Sequence, residues 1–384
     1  MQVRYTYRIR VSAGAERALR AEWDRCRWVW NQCVAESRQA WKDKRECGPA
    51  GLDKMLTGWR AQHEWLREGS SVAQKQTIRD FGKSRAKALK DRKNKLPVRQ
   101  RAGLPQFKKR DRALSTMNYT KHGFSLRNGR LVVARGISLR VIWSRDLPSA
   151  PSSVRVCQDA LGHWHASFVV QAEEETYPET GNVVGIDWGV TQIATTTSDG
   201  HDLPHPEFMK KSAGKLAKYQ RQMARRKPQK GKPASAGYRR ARRKAAKAHA
   251  KVAAQRQDTA RKWAKKIARD FGQIAVEDFH PRFLAKSSMA RKAADAAIGA
   301  AKSALLQMAA KHGRVVHLVD PAHTTTDCSA CGARAKQRLP LSQRTYTCSS
   351  CGTVLPRDKN SAAVMLTRAG LTPAGADRVR PRAA

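Results

Sequence analysis

The sequence predicts a multidomain chain of mixed class: a small β-barrel with a helical insert, followed by an α/β domain that carries a metal-binding ribbon. Three observations predict it. Apolar residues alternate with period two near the N-terminus and again between 130 and 172, with a helical pattern between them. After residue 181 the signals run hairpin, long helices, strand, helix, strand, the order of an α/β sheet with crossover helices. Two C-x-x-C pairs then follow near the C-terminus.

The elements follow in order. In "VRYTYRIRV" (3–11), Val3, Tyr5, Tyr7, Ile9 and Val11 share one face, and Arg4, Thr6, Arg8 and Arg10 the other. That is a strand with one buried and one basic side. Residues 14 to 95 read as helical and hold six of the ten Trp, at 23, 28, 30, 41, 59 and 65. Filling a helical core is their expected role, with base stacking by one or two left open. A basic connector punctuated by Pro and Gly, "KDRKNKLPVRQRAGLPQFKKRDR", precedes the next strands. Leu139, Val141 and Trp143 alternate there, as do Trp164, Ala166, Phe168 and Val170. "DLPSAP" and "DALG" supply turns, and "ETYPETGN" (175–182) reads as the linker that ends the first half.

The second half opens on "VVGIDWGVTQIATT" (183–196), a hairpin whose turn is expected at Ser198-Asp199-Gly200. Residues 210 to 270 hold 23 Lys and Arg against Asp258 and Asp270. Recurrent Ala makes 239–270 helical, after a break at "KPQKGKPASAG". Helices this basic are either solvated faces or lie along a phosphate backbone, and two joined by a Pro/Gly turn favour the latter. "GQIAVEDFH" is then a short strand, 285–312 an Ala-rich helix, and "RVVHLVDP" another strand.

Composition narrows the function. The 384 residues suggest two or three domains, at about 100 to 200 residues each. A hydrophobic content of 40% supports real cores, and no stretch reaches the ~20 apolar residues of a membrane span. The first residues lack the apolar core of a secretory signal, so a cytoplasmic protein with reduced thiols is expected. With 76 Lys and Arg against 31 Asp and Glu, the net charge of +45 calls for a polyanionic partner. Nucleic acid is the natural one, since each neutralised phosphate releases counterions.

Against that charge three acids stand out: Asp187 in "GIDWG", Glu277 in "AVEDF" and Asp358 in "LPRDKNSAAVML". Each borders or interrupts an apolar run, and an isolated buried carboxylate is costly unless protonated or paired. Bland roles exist for each. Asp187 could cap the turn at Gly189, Asp358 could cap the helix after it, and Glu277 or Asp278 could pair with an Arg. Clustered, the three would repel one another unless divalent cations such as Mg²⁺ or Mn²⁺ neutralised them. Two such ions about 4 Å apart suit in-line displacement at a phosphodiester.

Cys328 and Cys331, then Cys348 and Cys351, form two C-x-x-C pairs 16 residues apart, the spacing of a zinc ribbon. Gly332 and Gly352 follow each pair, as tight knuckles require. Four thiolates leave Zn²⁺ no open position, so the site reads as structural. Cys26, Cys33, Cys47 and Cys157 lack such spacing and read as core residues.

In this order, Asp187, Glu277, the cysteine pairs and Asp358 resemble a RuvC-like nuclease split by a zinc ribbon. More closely, the chain resembles the TnpB family of transposon-encoded RNA-guided nucleases and their relatives, the compact type V CRISPR effectors. "CRWVWNQCV" (26–34), "AGLPQFKKR" (102–110), "DALGHWHASFVV" and "VDPAHTTTDCSACG" carry the likeness across nearly the whole chain. The resemblance implies a wedge β-barrel (1–13 and 96–180) and a helical recognition insert (14–95). It further implies an RNase H-like (RuvC) domain (181–327 and 352–370), a zinc ribbon (328–351) and a tail (371–384). Pro356, where many relatives carry an extra acid, and the lack of a Trp before "AAIGAAKSALLQMAAKHG" depart from the family without removing a catalytic group.

By the same resemblance, Asp187, Glu277 and Asp358 are the catalytic, Mg²⁺-binding acids, and the four cysteines bind zinc. The implied partners are a guide RNA and double-stranded DNA beside a short motif read by the protein. Arg225, Arg226, Arg239, Arg240, Arg242, Arg243 and Lys244 are the candidate nucleic-acid contacts in the basic helices. The leading expectation is a metal-dependent, RNA-guided DNA endonuclease. A CRISPR effector, a guided DNA-binding protein that cuts weakly or not at all, and a strand-joining transposase stay open.

Overall fold

The alternating N-terminal segment forms β1 (Gln2–Arg10), with Tyr7 and Ile9 buried and Arg4, Thr6, Arg8 and Arg10 exposed. The computed structural model describes residues 1–98, 100–110, 113–173, 175–229, 231–279, 288–337, 339–340 and 342–372. These divide into two units, 1–173 and 174–384.

In the first unit four helices are inserted between β1 and the other strands: α1 (Ala13–Lys42), α2 (Pro49–Gln62), α3 (Glu64–Arg67) and α4 (Ser71–Lys93). Ser12 starts α1, its Oγ accepting from the Ala15 N–H at 3.2 Å. The strands are β2 (Thr116–Thr120), β3 (Phe124–Arg127), β4 (Arg130–Val133), β5 (Ile137–Val141), β6 (Ser153–Gln158) and β7 (Trp164–Gln171). With β1 they make one seven-stranded antiparallel sheet, order β2-β6-β7-β1-β5-β4-β3, nearly closed and barrel-like. Its interior takes the alternating residues: Leu139, Val141, Trp164, Ala166, Phe168 and Val170 are all buried. Trp143 lies past the end of β5, yet it stacks on Phe168 with centroids 5.7 Å apart.

Helix α1 serves two cores. Leu19, Trp23 and Cys26 pack into the barrel, while Val29, Trp30, Cys33 and Val34 pack against Leu52, Leu56, Leu66, Ile78 and Phe81 of the other helices. Trp23 and Trp30 are buried and Trp28 and Trp59 half-buried, as a helical core requires. Trp41 is not: 75% of its surface is exposed.

The second unit is built on β8 (Val183–Trp188), β9 (Gln192–Thr196), β10 (Leu203–Pro204), β11 (Gln273–Glu277) and β12 (Val315–Val319), in the order β10-β9-β8-β11-β12. Strand β11 runs parallel to both β8 and β12. The basic region forms α5 (Phe208–Arg225) and α6 (Ala236–Asp270). The hairpin turn of β8–β9 lies at residues 189–191, not at 198–200 as the sequence suggested. Gly189 permits it, since a Cβ there would stand 2.7 Å from the Gln192 carbonyl oxygen. Ser198-Asp199-Gly200 instead begins the link from β9 to β10.

The single helix expected over 285–312 is two, α7 (Ala290–Ala296) and α8 (Ile298–Lys311); residues 285–287 lie outside the described residues. Ala297 breaks them with φ of 52°. The break accompanies a buried junction in which the Asp295 carboxylate accepts from the N–H groups of Met209 and Lys210 at the start of α5 and from Arg256 of α6. The expected 371–384 tail lies mostly outside the described residues. Beyond β12 come β13 (Thr345–Thr347) and β14 (Val354–Pro356), a two-stranded ribbon, and then α9 (Arg357–Arg368).

Each face of the five-stranded sheet has its own cover. Val184, Ile186, Ile274 and Val276 pack against Trp263, Ala264 and Ile267 of α6 and Leu305 of α8. Ala275 and Val319 pack against Met365 and Leu366 of α9. This parity positions the site.

Candidate active site

Side chains along a strand alternate between faces. Because Val184, Ile186 and Trp188 face α6, Asp187 faces α9; because Ile274 and Val276 face α6, so does Glu277 face α9. The parallel register pairs Val276 with Ile186, one residue before each acid, so Asp187 and Glu277 emerge side by side. Asp358 is the second residue of α9, the helix that covers this face. The approach is close because of Gly185: a Cβ there would overlap the Ala362 carbonyl oxygen, one turn along α9 from Asp358. Strand parity, register and one glycine thus bring three acids from distant parts of the sequence to the same end of the sheet.

Their electrostatics reflect it. The Asp187 carboxyl is pushed well above the usual range, first by burial and then by the negative charges of Glu277 and Asp358, with Arg357 opposing. It keeps a partly open surface although protein encloses it on most sides. Glu277, buried, is raised to about 7 by desolvation, against a hydrogen bond from the Trp188 backbone N–H and the charge of Lys302. Asp358 is half-buried, and its nearest ion-pair partner is Arg344 at 3.9 Å.

The bland roles do not match this arrangement. Gly189 donates its N–H to Ile193, so Asp187 does not cap that turn through it. Pro356, not Asp358, occupies the cap position of α9. Asp278 pairs with Lys302 at 2.6 Å, whereas Glu277, beside it, has no ion pair among the described residues. Carboxylates brought to one end of a sheet, two of them raised by burial and only partly offset by Arg357, Lys302 and Arg344, are a donor set suited to hard divalent ions.

Three neighbours of the acids were not visible in the sequence. Lys359 bridges Asp199 at 2.6 Å and Asp202 at 3.0 Å and donates to the Thr196 carbonyl, tying the start of α9 to β9. Arg357, buried, donates to the Pro340 carbonyl at 3.0 Å. Asn360, fully buried, accepts from the Ser329 N–H and donates to the Asp327 carbonyl. Sequence separations from 17 to 163 residues explain why no local pattern announced them.

The four cysteines draw together: their sulfurs all lie within 4.8 Å of one another, with Cys328–Cys351 at 3.8 Å and Cys331–Cys348 at 3.7 Å. Four sulfurs about 2.3 Å from a tetrahedral zinc would sit about 3.8 Å apart, so the donor set fits that ion. The two knuckles match. In each, the glycine N–H bonds back to the first cysteine carbonyl at 3.0 Å, and Gly332 and Gly352 take φ of 75° and 74°. The Thr353 hydroxyl and N–H lower the Cys351 thiol, while contact with the neighbouring sulfurs raises that of Cys331, as in thiols that share protons until a metal displaces them.

The seven candidate contacts Arg225, Arg226, Arg239, Arg240, Arg242, Arg243 and Lys244 are all exposed, and none has an acidic partner among the described residues. Beside them, Lys211, Lys215, Lys244, Lys247 and Lys251 line one groove between α5 and α6. Of those five only Lys244 was singled out from the sequence. The reason is that the groove is made by two helices packing, which places lysines of distant number together.

Residues 167–287 match the OrfB_IS605 family, described as "Probable transposase", and 299–365 match the "Cas12f1-like, TNB domain". Residues 1–46 match a family described as a helix-turn-helix domain, yet here they form β1 and the single long helix α1. A Streptomyces pristinaespiralis protein named "Putative RNA-guided DNA endonuclease" is 31% identical over 93% of this chain and 86% of its own. The Escherichia coli K12 "Putative RNA-guided DNA endonuclease InsQ" is 27% identical over 93% and 90%. Among solved structures, a Cas12f1–sgRNA–target DNA complex matches with a TM-score of 0.59 and 14% identity, covering 95% of this chain and 98% of that one.

Proposed function

The chain belongs to the TnpB family of transposon-encoded RNA-guided DNA endonucleases, and on that premise we propose that Asp187, Glu277 and Asp358 form its hydrolytic centre. The protein is an endodeoxyribonuclease guided by RNA. Its partners are a guide RNA and a DNA target, double-stranded and marked by a short motif that the protein reads. In domain terms, the seven-stranded sheet is the wedge barrel, α1–α4 the recognition insert, the five-stranded sheet with its helices the RNase H-like nuclease domain, and 328–351 a zinc ribbon.

One observation carries the assignment of the acids: Asp187 and Glu277 emerge side by side on the sheet face that α9, with Asp358, covers. Bound Mg²⁺ or Mn²⁺ would supply the Lewis acidity of two-metal phosphodiester cleavage. The residues do the rest. Asp187 and Glu277 present carboxylate oxygens from rigid strands, and Asp358 closes the set from the helix. Arg357 offsets the charge on Asp187, and Lys359 holds the helix start against β9. The basic groove of α5 and α6 would grip the phosphate backbone of guide and target.

The test is Asp187→Ala in the complex with its RNA. RNA binding should persist while Mg²⁺-dependent cutting of a matched plasmid disappears. Cutting that survives the substitution would overturn the assignment.

A further inference from the structure

The first unit contains a site that the cleavage chemistry does not use. Helices α1 and α4 each turn one stripe toward a common groove: Val34, Arg38 and Trp41 from α1, and Phe81, Arg85 and Arg92 from α4. Residues 104–106 wall the third side, held by the Trp30 indole N–H, which donates to the Gln106 carbonyl at 2.9 Å. The half-open groove holds ≈ 420 Å³, within the range of about 300–1,000 Å³ of small-molecule sites.

Its chemistry is specific. The floor is apolar, yet four cations, Arg38, Lys42, Arg85 and Arg92, stand around it and no acid lines it among the described residues. Arg38 lies over the Phe107 ring at 4.7 Å and bonds to the Gln106 side chain, and Arg85 is tied to Ser37 and the Cys47 carbonyl. Arg92 and Lys42 are exposed and have no acidic partner among the described residues. Trp41 has 75% of its surface free and, among those residues, no aromatic neighbour. An exposed indole beside an apolar slot ringed with unneutralised cations matches a base with its phosphate.

We propose that this cavity takes one unpaired base of the guide RNA, stacked on Trp41 with its phosphate between Lys42 and Arg92. The proposal rests on the RNA-guided reading above. RNA is favoured over the target because proteins read RNA at unpaired, splayed-out bases, stacking them on aromatic rings and guanidinium planes. The guide is also held before any target is opened, whereas DNA offers unpaired bases only once the guide has displaced a strand.

The experiment compares wild-type protein, Trp41→Ala and Trp41→Phe, each with the in vitro transcribed guide RNA, by filter binding and by chemical probing of base reactivity. Exposure of Trp41 means that neither variant should disturb the fold. Trp41→Ala should weaken RNA binding at least about fivefold, the low end of one base–aromatic stack, and one protected unpaired base should become reactive. Trp41→Phe should restore both. Unchanged affinity and reactivity in Trp41→Ala would overturn the proposal, and so would normal RNA binding with loss only of DNA cutting, which would assign the slot to DNA. A wild-type protein that bound no RNA would overturn the guided-endonuclease reading itself, and this site with it.

Discussion

Gly185 and Glu277 are the residues whose replacement speaks most directly to the site. A Cβ at 185 would overlap the Ala362 carbonyl, so Gly185→Ala must push α9 off the sheet. Overpacking of this kind costs about 1–3 kcal/mol, which should appear as a lower melting temperature, and the displacement of Asp358 should reduce cutting further. Normal cutting by a destabilised Gly185→Ala would mean that the helix need not lie so close. For Glu277 the sign follows from linkage. Its folded value of about 7 lies above that of the unfolded chain, so the folded state binds the proton more tightly. In metal-free protein its stabilising contribution is complete below the ordinary carboxylate range and is lost as pH rises through about 7, by roughly 3 kcal/mol at most. Melting in chelator from pH 5 to 8 should show this decline, Glu277→Gln should lessen it while Asp187, raised by its own burial, keeps the remainder, and added Mg²⁺ should stabilise the wild type more at pH 8 than at pH 6. At this scale the sequence was informative about Asp187, Glu277 and the cysteines, because strand parity and ligand spacing are local. It was silent about Lys359 and Asn360, whose partners lie up to 163 and 33 residues away.

Among the elements, α9 joins the acids to the cysteine cluster. Its second residue is Asp358, and two residues later Asn360 clasps the first cysteine knuckle through the Ser329 N–H and the Asp327 carbonyl. Arg368, at the other end of the helix, pairs with Asp327 at 2.6 Å. The ribbon therefore buttresses the helix that presents the third acid. Asn360→Ala leaves a buried N–H and carbonyl unsatisfied, a cost of about 1–3 kcal/mol. Single-turnover cutting at saturating Mg²⁺ should fall in this variant and in Cys351→Ser, while RNA affinity stays near wild type. Full cutting by Asn360→Ala would show that the ribbon stabilises the chain without positioning Asp358. The start of the helical insert, expected at 14, falls at Ala13, where the Ser12 cap is local chemistry. Boundaries were misread where packing overrides such chemistry, as at the Ala297 break, where Ala-rich sequence reads as one uninterrupted helix. The β8–β9 turn was misplaced for a related reason. Ser-Asp-Gly has the stronger turn chemistry, but the chain reverses earlier, where Gly189 admits the Gln192 carbonyl.

For the molecule as a whole, the governing quantity is a charge of +45, which the fold sorts by place. Several carboxylates that pair with Arg or Lys, among them Asp295, Asp278 and Asp327, lie at junctions between elements. The α5–α6 hairpin is left with a surface of unneutralised cations. Such a surface predicts the salt dependence of binding rather than stability. Exposed, unpaired arginines contribute within about 0.5 kcal/mol to folding, so replacing Arg239, Arg240, Arg242 and Arg243 by Gln should leave the melting temperature unchanged. Each one that contacts a duplex phosphate releases counterions on binding, so log affinity against log salt should lose about 0.9 from its slope per contact removed. Titration of the guide–target complex between low and physiological salt, wild type against the quadruple variant, reads this directly. A shallower slope with unchanged melting would place these arginines on the phosphate track. An unchanged slope would assign them to solvent and leave the lysine groove of Lys211, Lys215, Lys247 and Lys251 as the backbone contact, with the same measurement on its Lys→Gln variants to decide it.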